Sequence, residues 1–302
     1  MPRPLTAAAI AGGTLAALVV ALLGVAIATH GTGELRIPAP GTTTALRAVV
    51  FVALAVHIGE LAGRRLAGPG PRPRDWGLWA ALAGAGASAG QILVLAAVSH
   101  LDVTAAYATR DGVLLLLMAN GFTFAALCAG LGRPARALAP LALVVLAEAL
   151  RAHPEPVSPE VGTALTVVHL TAASLWSGGL LYVLRTMWLR RAEPEAGRAV
   201  LARYARLAPY PFAAVALTGT VTSLRRLPAD VVFTTAYGRV LIAKLVLVAV
   251  VSVLALTARH RLIRGRDDSQ VPARVEVALL ALALLVSAVL TVVPDPHWLS
   301  TR

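Results

Sequence analysis

Long apolar stretches separated by short, arginine-bearing segments run through the whole chain. A bilayer core about 30 Å thick takes about 20 mostly apolar residues, each rising about 1.5 Å along a helix. Nine stretches reach or approach that length: Leu5–Thr29, Ala45–Ala62, Trp76–Val98, Gly112–Gly130, Ala135–Leu150, Val161–Leu184, Leu207–Leu224, Val240–Ala258 and Val275–Val293. The pattern predicts an all-α, polytopic transmembrane helix bundle of about nine spans. The fifth stretch is the weakest, being short and carrying Glu148. The first is longer than a signal-peptide core and reads as a span. Arg185–Arg206 and Arg259–Arg274 read as amphipathic or flexible connectors, and no sequence repeat is evident.

Composition agrees with this reading. The 302 residues are 58% hydrophobic, with a mean hydropathy of +0.75, and only 14% are charged. A soluble fold of this size needs more polar surface, and a disordered chain needs far less apolar content. The single cysteine, Cys128, excludes an internal disulfide and a cysteine-based zinc site.

The formal charge of +12 raises the question of nucleic acid. The basic residues instead sit in short runs flanking apolar stretches, without aromatic interleaving, as the positive-inside rule demands of a membrane protein. With nine spans and a cytoplasmic N-terminus, the inner segments hold 18 of the 27 basic residues. This asymmetry predicts N-terminus in and C-terminus out, with no nucleic-acid partner. Without a fifth span, the Arg64–Arg74 and Arg185–Arg206 segments would lie on opposite sides. The stretches group into an N-terminal five-helix membrane region, residues 1–152, and a C-terminal four-helix membrane domain, residues 153–302.

Ionisable groups inside a membrane are costly, so each is a functional candidate. On this topology His30, His100, His153 and His297 lie at outer ends or in outer loops. His57 and His169 fall within spans, and His260 sits at the inner surface. Neutral imidazole is the commonest metal ligand and an axial ligand of haem. Two readings stand for His169: a metal ligand, or an imidazole satisfied by a backbone carbonyl or a Ser/Thr hydroxyl. Trp176 shares its helical face.

His57 and Glu60 also share a face, and Glu60–Arg64 has the spacing of an intrahelical pair. Lys244, the sole lysine, reads as snorkelling to the interface. Glu148 and Glu276 read as partners of nearby arginines, and Asp102, Asp111 and Glu155 as solvated outer charge. Soft ligands are scarce, which argues against a methionine relay for copper(I). No nucleotide-binding loop, phosphorylation motif or serine nucleophile elbow appears, so no enzyme activity is expected.

The second half resembles the copper resistance D (CopD) family of bacterial membrane proteins, in its actinobacterial form. The resemblance rests on His169 through Trp176-Ser177-Gly178-Gly179, Arg203 through Ala208, Leu217-Thr218-Gly219, Tyr237 through Lys244, and Arg274-Val275-Glu276 through Pro294. It spans about Val161 to Pro296, making residues 153–302 the CopD-like domain. It implies copper handling at the cytoplasmic membrane beside a periplasmic or extracellular copper-binding partner. His169 matches the family's intramembrane histidine. His153 aligns with a histidine preceding that span, although Ala152 replaces the usual glycine.

The expected function is therefore copper transport or resistance, with copper as the bound ion and membrane lipid as the surroundings. Copper is captured at the outer His153 and His100, with His30 a further candidate, and passed inward past His169 and His57. The alternatives are a haem b redox protein and a non-transporting assembly or sensor subunit.

Overall fold

Proline sets where several of the helices begin. Pro40, Pro159, Pro194 and Pro209 occupy first-turn positions, where a missing N–H costs nothing and the fixed φ suits the helix. The structure, a computed structural model, describes residues 4–35, 37–152, 158–264 and 270–294. Those residues form eleven α-helices, two short 3-10 turns and no strand. They are α1 (Pro4–Thr29), α2 (Pro40–Ala67), α3 (Gly77–Val98), α4 (Val103–Ala108), α5 (Arg110–Gly130), α6 (Leu138–Arg151), α7 (Pro159–Leu189), α8 (Pro194–Leu207), α9 (Pro209–Arg226), α10 (Ala236–Ile263) and α11 (Gln270–Leu290).

The all-helical fold read from the sequence is present, and each of the nine predicted stretches falls on a helix. Among the described residues, seven are long and apolar enough to cross a membrane: α2, α3, α5, α7, the α8–α9 run, α10 and α11. The described apolar part of α1 is Leu15–Thr29. Helix α6 has 14 residues and rises only about 21 Å, short of a bilayer core. Pro140 explains the shortness, because proline fits only the first turn of a helix. Residues Pro134–Ala137 accordingly form a 3-10 turn instead of extending α6.

Close approach of small residues joins the central helices. Gly59 and Gly63 of α2 lie against Gly178 and Tyr182 of α7, a constant offset that makes these two helices parallel. Small residues mark helix interfaces in lipid, where no hydrophobic drive separates helix from solvent. The glycine-rich run of α3 follows the same logic: Gly84 faces Phe122 of α5 and Gly90 faces Leu46 of α2. One apolar core gathers α2, α3, α5 and α6 around Leu54, Leu115, Met118 and Phe122. A second joins α1 to α10 and α11, and a third joins α7, α8, α10 and α11 around Trp176, Leu180 and Tyr204.

The two arginine-bearing segments separated by α3, α5, α6 and α7 meet at one end of the bundle. Arg190 is 6% exposed and donates to the Ala67 carbonyl at 3.1 Å and to the Pro71 carbonyl at 3.0 and 3.2 Å. The chain therefore reverses through α6 despite its length. The first connector read from the sequence is the amphipathic α8, which buries Val200, Leu201 and Tyr204.

Candidate functional site

His169 lies about a third of the way along α7 and reaches across to α9. Its Nδ1 is 2.9 Å from Thr218 Oγ1. The Thr218 hydroxyl donates its own hydrogen to the Ala214 carbonyl at 2.6 Å. Its oxygen is thereby left to accept, so Nδ1 carries the imidazole proton. Nε2 then keeps a free lone pair, the state in which an imidazole binds a metal. Gly219 makes room for the ring: a Cβ there would lie 3.4 Å from His169 Cε1. Lys244 of α10 is half-buried.

Trp176, two turns further along α7, is buried and meets Phe212 of α9 edge-on, with centroids 5.2 Å apart. Its carbonyl accepts from the Tyr204 hydroxyl at 2.8 Å. Beside it lies an apolar cavity of about 320 Å³, whose lining includes Tyr204, Leu256, Arg259 and Glu276. Glu276 is buried, at 4% exposure, and the expected Glu276–Arg pair does not form among the described residues.

His57 sits on α2 at 1% exposure, over the start of α3. Its Nε2 is 3.5 Å from the point a Cβ at Gly77 would occupy, and its Nδ1 is buried without a hydrogen-bond partner. The expected Glu60–Arg64 pair does not form. Glu60 pairs with Arg185 of α7 and accepts from the Trp76 amide, while Arg64 pairs with Asp75. Arg185 also donates to the Arg74 carbonyl and lies 3.5 Å over the Trp76 ring. The tight α2–α7 crossing brings Arg185 nearer to Glu60 than the i,i+4 neighbour. Glu148, in contrast, forms its expected pair, with Arg151 at 2.9 Å.

His100 is exposed just beyond α3, with a positive φ of 52°. His153 lies outside the described residues. His57 and His169 do not meet. On the parallel α2–α7 register, His57 is two residues before the Gly59–Gly178 contact and His169 is nine before it, an axial offset of about 10 Å. Among the described residues, no group of three or more His, Cys, Asp or Glu side chains is placed to hold a metal ion.

Residues 198–293 match the family model described as Copper resistance protein D. The matched stretch, a CopD-like region, covers about a third of the chain. That region holds Thr218, Lys244, Trp176's partner Phe212 and Glu276, and it begins after His169, so the match is narrower than the expected Val161–Pro296. The His169 imidazole is thus bonded to the CopD region from the helix that precedes it. No curated protein and no solved structure matches the chain. The apolar helices of spanning length are those of a multi-pass membrane protein, and residues 198–293 are similar to the copper resistance D family.

Proposed function

We propose that the protein is a non-catalytic copper carrier of the cytoplasmic membrane. Copper is its substrate, and His169 Nε2 is its intramembrane ligand. One observation carries this reading: an imidazole outside the CopD region is bonded to Thr218 within it, in the tautomer that leaves a nitrogen free. An imidazole suits copper by ligand type. Second-contact partners such as Thr218 commonly fix ring orientation at metal sites. His153 and the exposed His100 serve as outer capture points, where a periplasmic or extracellular copper-binding protein delivers the ion. His57, further along the bundle, receives it after His169. The end bearing Arg64, Arg185 and Arg190 faces the cytoplasm, in keeping with the positive-inside rule.

The haem alternative gains no support from the pair best suited to it. An axial offset of about 10 Å keeps His57 and His169 from facing one another across a single macrocycle.

The test is copper titration of the purified protein, followed by copper accumulation in cells expressing His169→Ala or His169→Gln. Loss of binding and of copper-dependent accumulation in both variants is expected, with folding checked by circular dichroism. Wild-type copper binding in the folded variants would overturn the reading.

A further inference from the structure

Outside the CopD region, four helices close around polar side chains that only partly satisfy one another. Arg47 lies near the start of α2, at the end of the bundle opposite Glu60 and Arg64. Gly90 against Leu46 puts Gln91 of α3 in the same layer. Gly84 against Phe122 and Gly121 against Val144 then bring Met118 of α5 and Glu148 of α6 within about one turn of it.

Within this layer Arg151 donates Nη1 to Glu148 Oε2 at 2.9 Å and approaches the Met118 sulfur at 3.9 Å. Arg47 is in Coulombic range of Glu148 and Arg151 and donates Nη1 to the Thr291 carbonyl at 2.9 Å. One buried carboxylate therefore faces two guanidiniums. Asp111 also acts on Arg47, but it is exposed at the start of α5, beside the exposed Arg110. Two guanidiniums, the buried Arg151 and the half-buried Arg47, thus stand against one buried carboxylate.

The hydrogen bonding is incomplete in the same place. Among the described residues, Arg47 Nε, Arg151 Nε and both amide atoms of Gln91 are buried without a partner. Gln91 is 4% exposed and Met118 fully buried, so bulk water does not reach the layer freely. A second guanidinium at the edge of the layer and four orphaned, buried polar atoms are each costly, and costly features in a membrane bundle are seldom idle.

We propose that these side chains form a binding site for one small monovalent oxyanion of the carboxylate or bicarbonate type. A single negative charge balances the excess positive charge. The two guanidinium Nε–H groups match the oxygens of a planar oxyanion, which a spherical halide uses less well. The Gln91 amide supplies a further N–H, and its oxygen accepts from a protonated group on the ligand or from a companion water. The site involves none of the candidate copper ligands.

The experiment uses the full chain in detergent with a bulky sulfonate as the sole buffer anion. Isotopically labelled formate is titrated by equilibrium dialysis, with the thermal midpoint followed in parallel. Saturable formate binding and a rising midpoint are expected, with chloride giving a smaller rise at equal concentration. Arg47→Gln is expected to lose the formate response. Gln91→Glu places a carboxylate in the layer from within, so it is expected to raise the midpoint in anion-free buffer and abolish formate binding. Absent saturable binding in the wild type, or binding unchanged in both folded variants, would overturn the proposal. An equal response to chloride would overturn the oxyanion assignment.

Discussion

Gly178 of α7 and Gly59 of α2 touch backbone to backbone. A methyl group on Gly178 would lie 2.6 Å from the Ala55 carbonyl carbon and 3.0 Å from Gly59 Cα, closer than real Cβ atoms come. Backbone cannot step aside as a side chain can. This contact fixes the parallel register of α2 and α7, and with it the depth of His57, Glu60, His169 and Arg185.

Gly178→Ala is accordingly expected to destabilise the protein by about 3 kcal/mol or more, at the upper end of overpacking effects. Gly86 has nothing within 4 Å of a built Cβ. Gly86→Ala is expected to be neutral or to stabilise by up to about 1 kcal/mol through helix propensity. Thermal unfolding in detergent, followed by circular dichroism, compares the two, and equal midpoints would contradict the crossing.

Removing one member of the Glu60–Arg185 pair strands a charge. Glu60 is 3% exposed and Arg185 is anchored to Arg74 and Trp76 as well. Glu60→Gln and Arg185→Met are each expected to cost about 3–5 kcal/mol, and the double variant less than their sum. A double-mutant cycle on unfolding midpoints measures this coupling. Additive losses would show that the pair is not formed.

Thr218 holds the His169 proton on Nδ1. Thr218→Val removes the acceptor while keeping the side-chain shape, so copper affinity is expected to fall about 10–100-fold, as at other sites that lose a supporting contact. Thr218→Ser retains the hydroxyl and is expected to stay near wild type. Copper titration of both variants distinguishes an orienting bond from simple packing, and identical affinities would remove Thr218 from the site.

Sidedness is open to direct labelling. In a Cys128→Ser background, Arg191→Cys reports the arginine-rich end and Asp102→Cys the opposite end; both positions are exposed. A membrane-impermeant maleimide added outside intact cells is expected to label the Asp102→Cys protein and spare the Arg191→Cys protein. The reverse pattern would invert the topology.

Much of the fold was legible because a bilayer offers no hydrogen bonds to backbone groups. Apolar runs of spanning length must then be helical, and each of the nine stretches falls on a helix. The fifth run was legible as short, and the structure ties its length to Pro140 in the first turn of α6. His169 stood out as an imidazole among apolar neighbours, and the CopD resemblance of the second half reappears in the match at residues 198–293. Local spacing served less well for polar partners. Glu148 and Arg151 pair as neighbours on one helix, whereas Glu60 passes over Arg64 for a residue 125 positions away. Gln91 and Arg47, polar residues inside apolar runs, were visible signals whose meaning depended on what faced them.

The sequence alone set which segments are helices and which imidazoles and carboxylates they carry, since hydropathy and proline placement act over a few turns. Which of those groups meet was decided by tertiary structure. Contacts such as Gly59–Gly178 set the depth and rotation of whole helices, and a shift of seven residues along α7 is enough to hold His57 and His169 apart.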